Sequence, residues 1–292
     1  MPSLADLLAT VDDLSSDDSG ALLVDAGEGC LGSVFVETGC VCWAAAAGRS
    51  ARLRDLLRRH SRSLDDAALD RAFALCRAQH QPLGELLVER GLVAHDELRA
   101  ALKQHTVESL IAQCDHPDTH VTWVPHRRRG YHARFTFAPA ELYAAAGAEL
   151  YAAESSGADD DIRAALPPSV ALSASFAIGD DGEPVAVRSA GGPRVRDLIE
   201  LGIWATFSLA ASNGFSAAVV ARAVAAAKSP TTLAWRASRR LVHAAVIEDV
   251  AALARAVASL ETRGLPMVVS SHLPFTPPSH CNAQPTRSYS SP

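Results

Sequence analysis

Apolar positions change their spacing along the chain, and each change marks a different kind of element. Leu4, Leu7, Leu8 and Val11 share one face of a short helix, because residues three and four apart meet on a helix surface. Segments 20–25 and 32–37 run apolar or alternate between glycine-bearing turns and predict strands, and segment 39–45 predicts a third after the Thr38-Gly39 turn. Leu53, Leu56 and Leu57 restore helical spacing. Ser63 and Asp66, at N-cap and N3 spacing, open a second helix with Leu69, Phe73 and Cys76 on its apolar face. After the break at Gln81-Pro82, residues 83–91 form a short helix closed by Gly91, since glycine tolerates the left-handed conformation that ends a helix. A helix over 96–113 follows, then strands at 121–124 and 133–137 around the polar run Arg127-Arg128-Arg129-Gly130. Pro139 precedes a helix through Leu142, Tyr143 and Leu150.

The second half has a different rhythm. Residues 171–188 read as two strands around an Asp181-Gly182 turn, a strong short-range hairpin signal. A helix over 194–212, strands over 217–226, 231–237 and 240–248, and a closing helix over 250–260 complete the pattern. Small antiparallel sheets with helices grouped around them define an α+β chain.

A length of 292 residues suggests about two domains at roughly 150 residues each, and an apolar content of 48% is enough to build a core in both. The polar stretch 153–163, followed by Pro167-Pro168, divides residues 1–152 from a second domain over 164–263, and residues 63–114 form a helical insert in the first. Residues 274–292, dense in Pro, Ser and Thr, predict a disordered tail. The formal charge of -6 argues against a nucleic-acid partner, which needs a basic surface to neutralise phosphate. No segment reaches the roughly 18 continuous apolar residues of a membrane span, so membrane insertion is not expected and a cytoplasmic location is. Six scattered cysteines then predict free thiols, not a disulfide framework.

The strand–turn–strand Leu31-Gly32-Ser33-Val34-Phe35-Val36-Glu37-Thr38-Gly39-Cys40-Val41-Cys42-Trp43-Ala44, with the helical insert at 83–92 and 97–102, resembles the PATAN domain of bacterial signalling proteins. The element order over 172–260, with the Asp180-Asp181-Gly182-Glu183-Pro184 hairpin and the Val246-Ile247-Glu248-Asp249 run before the last helix, resembles the roadblock/dynein-light-chain family, whose domain is a profilin-like α-β sandwich. The second resemblance implies a regulatory protein without catalysis or cofactor. It implies a homodimer or a roadblock-type heterodimer formed through a helix and a sheet edge, with a Ras-like GTPase or a two-component response-regulator pathway as partner. In this chain the interface helix is 194–212, and its apolar residues Leu198, Leu201, Ile203, Trp204 and Phe207 are too many for one packed stripe.

Other motifs carry chemistry of their own. Leu83-Gly84, Leu87-Val88 and Gly91, with Leu98 downstream, also resemble one repeat of the N-terminal domain of type II secretion ATPases, some of which bind cyclic di-GMP. Pro82 and His105 stand where such sites usually carry Arg and Gln, so the alternative to a cyclic-dinucleotide receptor is a structural helix pair. Cys114, His116 and His120 supply nitrogen and sulfur donors for zinc, with His126 and His132 nearby, but in no standard spacing; loop histidines are the simpler expectation. Cys40 and Cys42 alternate along a strand beside Cys30, where core packing competes with redox chemistry. No phosphate-binding loop, nucleophile elbow or dinucleotide fingerprint is present, and His243 is expected to be a sheet residue.

Overall fold

A computed structural model describes residues 3–27, 29–47, 53–61, 64–79, 83–114, 119–127, 131–152, 154–155, 166, 170–212, 223–224, 230–271 and 273–274. Helix α1 (Leu4–Asp12) leads into a meander of β1 (Ser19–Ala26), β2 (Gly29–Glu37) and β3 (Cys40–Ala46). Four helices follow: α2 (Leu53–His60), α3 (Asp66–Gln79), α4 (Leu83–Glu89) and α5 (His95–Cys114). Strand β4 (Thr119–Pro125), a 3-10 turn (Ala133–Phe135) and α6 (Pro139–Leu150) complete the first half. The second half contains β5 (Leu172–Ile178), β6 (Pro184–Ala190), α7 (Val195–Ser212), β7 (Thr231–Arg236), β8 (Leu241–Ile247), α8 (Val250–Thr262) and β9 (Met267–Ser270). Two antiparallel sheets, ordered β3-β2-β1-β4 and β6-β5-β8-β7-β9, make this an α+β fold, as the apolar pattern predicts.

Local chemistry sets the element ends. Ser3 and Asp6 form a capping box on α1, satisfying amides that the first helical turn leaves without partners. Thr38 and Gly39, with φ of 55° and 70°, join paired Glu37 and Cys40; positive φ at both positions matches the twist that a two-residue hairpin needs. Asp65 accepts a hydrogen bond from the Ala68 amide (2.6 Å) at the start of α3, while Ser63 lies outside the described residues. Strand β8 is buried along its whole length because both faces of its sheet are covered. Val242, Ala244 and Val246 face the main core and α7, and Ala245 and Ile247 face α8.

Three expectations need correction or qualification. Residues 133–137 are not a strand: the turn at Ala133–Phe135 gives the carbonyls of Arg134 and Thr136 to the Arg99 guanidinium, and only Phe137 makes a sheet-type bridge, to Val41. The strand expected over 217–226 lies outside the described residues except for Ala223 and Val224, which are helical. Beside β7 the sheet position is taken by β9, whose four residues are too short for periodicity to reveal. The expected linker 153–163 is described only at 154–155, and of the tail 274–292 only Pro274 is described.

The main core runs through both sheets. It joins Leu7, Leu8 and Val11 of α1 and Val34 of β2 to Phe176 of β5 and Leu198 and Leu201 of α7. Helix α6 is the common element. Gly147 lets it lie against β6 so closely that an added Cβ would sit 2.0 Å from the Ala186 carbonyl oxygen. At the start of α7 the Val195 amide donates to the Asp12 carboxylate of α1 (2.6 Å), and Arg196 pairs with Asp13 (2.6 Å). Burial raises the Asp12 pKa above its ordinary value, against the pull of that amide and of Arg194. We expect Gly147→Ala to destabilise the protein by about 1–3 kcal/mol, the usual cost of overpacking, measured by chemical denaturation. An unchanged midpoint and slope would show that α6 does not need the close approach.

Candidate functional site

Two features outside the packed core carry functional potential. The first is a cavity of about 290 Å³ between β3, α4, α5 and the 131–135 segment. Cys42 and Trp43 enter from β3, Leu83, Gly84 and Leu87 from α4, and Leu98 and Leu102 from α5. Tyr131, His132 and Phe135 form the remaining wall, with Leu53 of α2 and the exposed Glu85 carboxylate also facing it.

That wall is held by specific bonds. The buried Glu37 carboxylate accepts from the Tyr131 amide (3.3 Å), and His132 Nδ1 accepts from the Arg134 amide (3.2 Å). Phe135 stacks on His95 with centroids 6.0 Å apart. Arg99 donates through Nη1 to the Arg134 and Thr136 carbonyls (2.6 and 2.9 Å) and through Nη2 to both carboxylate oxygens of Glu141 of α6 (2.9 and 2.7 Å), and lies over Phe137. Such a fork fixes direction as well as distance, which a lysine would not do. The turn therefore owes its position to α5 and α6.

Of the residues predicted for a ligand, the structure brings Leu83 and Gly84 to the cavity. Gly91 instead ends α4 with φ 63°, its amide bonded to the Val88 carbonyl and that of Leu92 to Leu87. His105 stacks face to face on Trp43 (centroids 4.1 Å, 21°), supporting the indole that lines the cavity. Its Nδ1 is buried without a hydrogen-bond partner, and burial lowers its pKa, partly offset by Glu108. Sequence reasoning missed the aromatic wall at 131–135, because its aromatic residues show no period once the segment is a turn.

Burial pushes the Cys42 thiol up to about 12, with Glu37 adding to the effect, and raises Cys40 as well. Neither cysteine is a ready thiolate, so their alternation on β3 serves packing and does not support redox chemistry. Cys114 ends α5, His120 is exposed on β4 and His116 lies outside the described residues. Among the described residues no group of three His, Cys, Asp or Glu side chains is placed to hold a metal ion. His243 is fully buried in β8 beside Ser175 (2.9 Å) and Trp235, a core position closed to solvent.

The second feature is the outer face of α7. Leu198 and Leu201 are fully buried, and Trp204 is half-buried against the core. Ile203 and Phe207, one turn apart, are 38% and 72% exposed. The helix thus has a buried stripe and a separate apolar outer stripe, the excess that its sequence announces.

Comparison with models of known protein families, with curated proteins and with solved structures gives no match for this chain. No helix among the described residues is long and apolar enough to cross a membrane.

The His105 environment has a measurable consequence. A base whose pKa is lower in the folded state binds fewer protons there than when unfolded, so its stabilising contribution is present above the ordinary value of 6.5 and is lost as pH falls through it. His105→Phe keeps a ring against Trp43 and removes the titration. We expect denaturation midpoints of the variant to fall less than wild type between about pH 7 and pH 5, the range in which histidine changes charge. Identical slopes would contradict the assigned environment.

Proposed function

We propose that this protein is a non-catalytic regulatory component of a bacterial signalling system that works by binding other proteins through the outer face of α7. The observation that carries the reading is the exposure of Phe207 and Ile203 on a helix whose opposite face already fills the core. Exposed large apolar side chains that lie together mark interaction surfaces more often than isolated ones do. The sequence of hairpin β5-β6, helix α7, hairpin β7-β8 and helix α8 supports a roadblock-like reading of the second half. That reading implies a dimer built on α7, a heterodimer with a related domain being its variant, and a Ras-like GTPase or response-regulator pathway protein as client. The first half supports a PATAN-like docking role through its meander with inserted helices.

A second reading, a small-ligand receptor, is favoured by the convergence of Leu83 and Gly84 with an aromatic wall around a formed cavity. The sequence resemblance points to a cyclic dinucleotide as its ligand, a guest larger than the cavity of about 290 Å³ encloses. The two readings are compatible, since the α7 face and the cavity use different elements.

Light scattering on the purified full chain tests the first reading. The expected result is a dimer at micromolar concentration that Phe207→Glu converts to monomer without loss of helix content, because a buried unpaired carboxylate costs several kcal/mol, about enough to raise the dissociation constant a hundredfold or more. A wild-type monomer that also captures no partner through this face would remove the reading.

A further inference from the structure

The cavity beside Trp43 has a chemical character that narrows its guest, an inference that rests on the receptor reading above. Its interior is lined by leucines and by the rings of Trp43, Tyr131 and Phe135. Aromatic faces attract cations as well as flat apolar bodies. Among the described lining residues there is no lysine or arginine; the ionised group is the Glu85 carboxylate. His132 adds a donor: its Nδ1 accepts from the Arg134 amide, which assigns the proton of the neutral ring to Nε2. A phosphate brought here would lose hydration and meet Glu85 without a compensating cation among the described lining residues. The volume of about 290 Å³ lies at the lower end of ligand cavities, which span roughly 300–1,000 Å³. It suits a guest of one or two fused rings and is too small to enclose two nucleotides.

Three observations make the space a built site and not a packing gap. Its turn wall is fixed independently by Glu37 and by Arg99. Trp43 is backed by the His105 ring, so the indole presents a supported face. Gly84 lies close against Leu98 in the lining: an added Cβ would meet Leu98 Cδ2 at 3.2 Å, so a side chain there would crowd the cavity wall.

We propose that this cavity binds a compact aromatic amine, its ring system against Trp43 and Phe135 and its ammonium group at Glu85. Binding is non-covalent and displaces water from an apolar floor.

Calorimetric titration of the full chain with 2-naphthylmethylamine, 2-naphthoic acid and cyclic di-GMP tests this directly, with Trp fluorescence as a second readout. The expected result is saturable binding of the amine, weaker or absent binding of the acid, and none of the dinucleotide. Glu85→Gln, an exposed substitution in the first turn of α4, is expected to weaken the amine by about twofold to fivefold, the range of an exposed charge contact. Gly84→Met, with circular dichroism confirming its fold, is expected to abolish amine binding by filling the cavity. Equal affinity for amine and acid, or amine binding unaffected by both variants, would overturn the ligand class. Binding of cyclic di-GMP alone would overturn the proposal while leaving the receptor reading standing, and silence from all three probes would overturn the proposal and count against that reading.

Discussion

Helix α6 can approach β6 as closely as it does because position 147 carries no side chain, and much of the architecture follows from that contact. Ala140, Ala144 and Ala146 keep the rest of the helix thin enough to enter the core that both sheets share. From the same helix, Glu141 receives one arm of the Arg99 guanidinium, whose other arm holds the carbonyls of Arg134 and Thr136. A single close approach of helix to strand is thereby linked, bond by bond, to the wall of a cavity on another part of the chain. Asp12 adds a second tie by capping the start of α7 from α1.

Much of this is legible in the sequence, for identifiable reasons. Periodicity and turn chemistry locate α1, the β1–β3 meander, the β5–β6 hairpin, α7 and α8, the two hairpin turns being Thr38-Gly39 and Asp181-Gly182. The pattern also announces that α7 carries more apolar residues than one stripe needs. What it cannot announce is partnership across the chain. Residues 133–137 look like a strand because Phe135 and Phe137 alternate, yet the Arg99 side chain, thirty-five residues away, takes the carbonyls a ladder would use. Gly147 reads as an ordinary weak point in a helix until the Ala186 carbonyl is placed against it. The cavity was half visible: Leu83 and Gly84 belong to a motif, whereas Tyr131, His132 and Phe135 belong to none.

The two candidate surfaces differ in character. The outer face of α7 exposes Ile203 and Phe207, opposite the buried Leu198 and Leu201. The cavity is concave and mostly apolar, with aromatic rings in its wall, features common in small-molecule sites. The two surfaces use different elements of the fold and do not overlap.

The link between the cavity wall and the α7 face requires the two sheets to form one cooperative unit through α6. Equilibrium unfolding followed at both sheets tests it most directly, using variants that retain either Trp123 of the first sheet or Trp235 of the second as the sole tryptophan, with the other tryptophans replaced by phenylalanine. Coincident transitions at the two probes, matched by circular dichroism, are predicted. Two separated transitions, with one sheet persisting after the other has melted, would contradict the shared core and the link it provides between cavity and helix face.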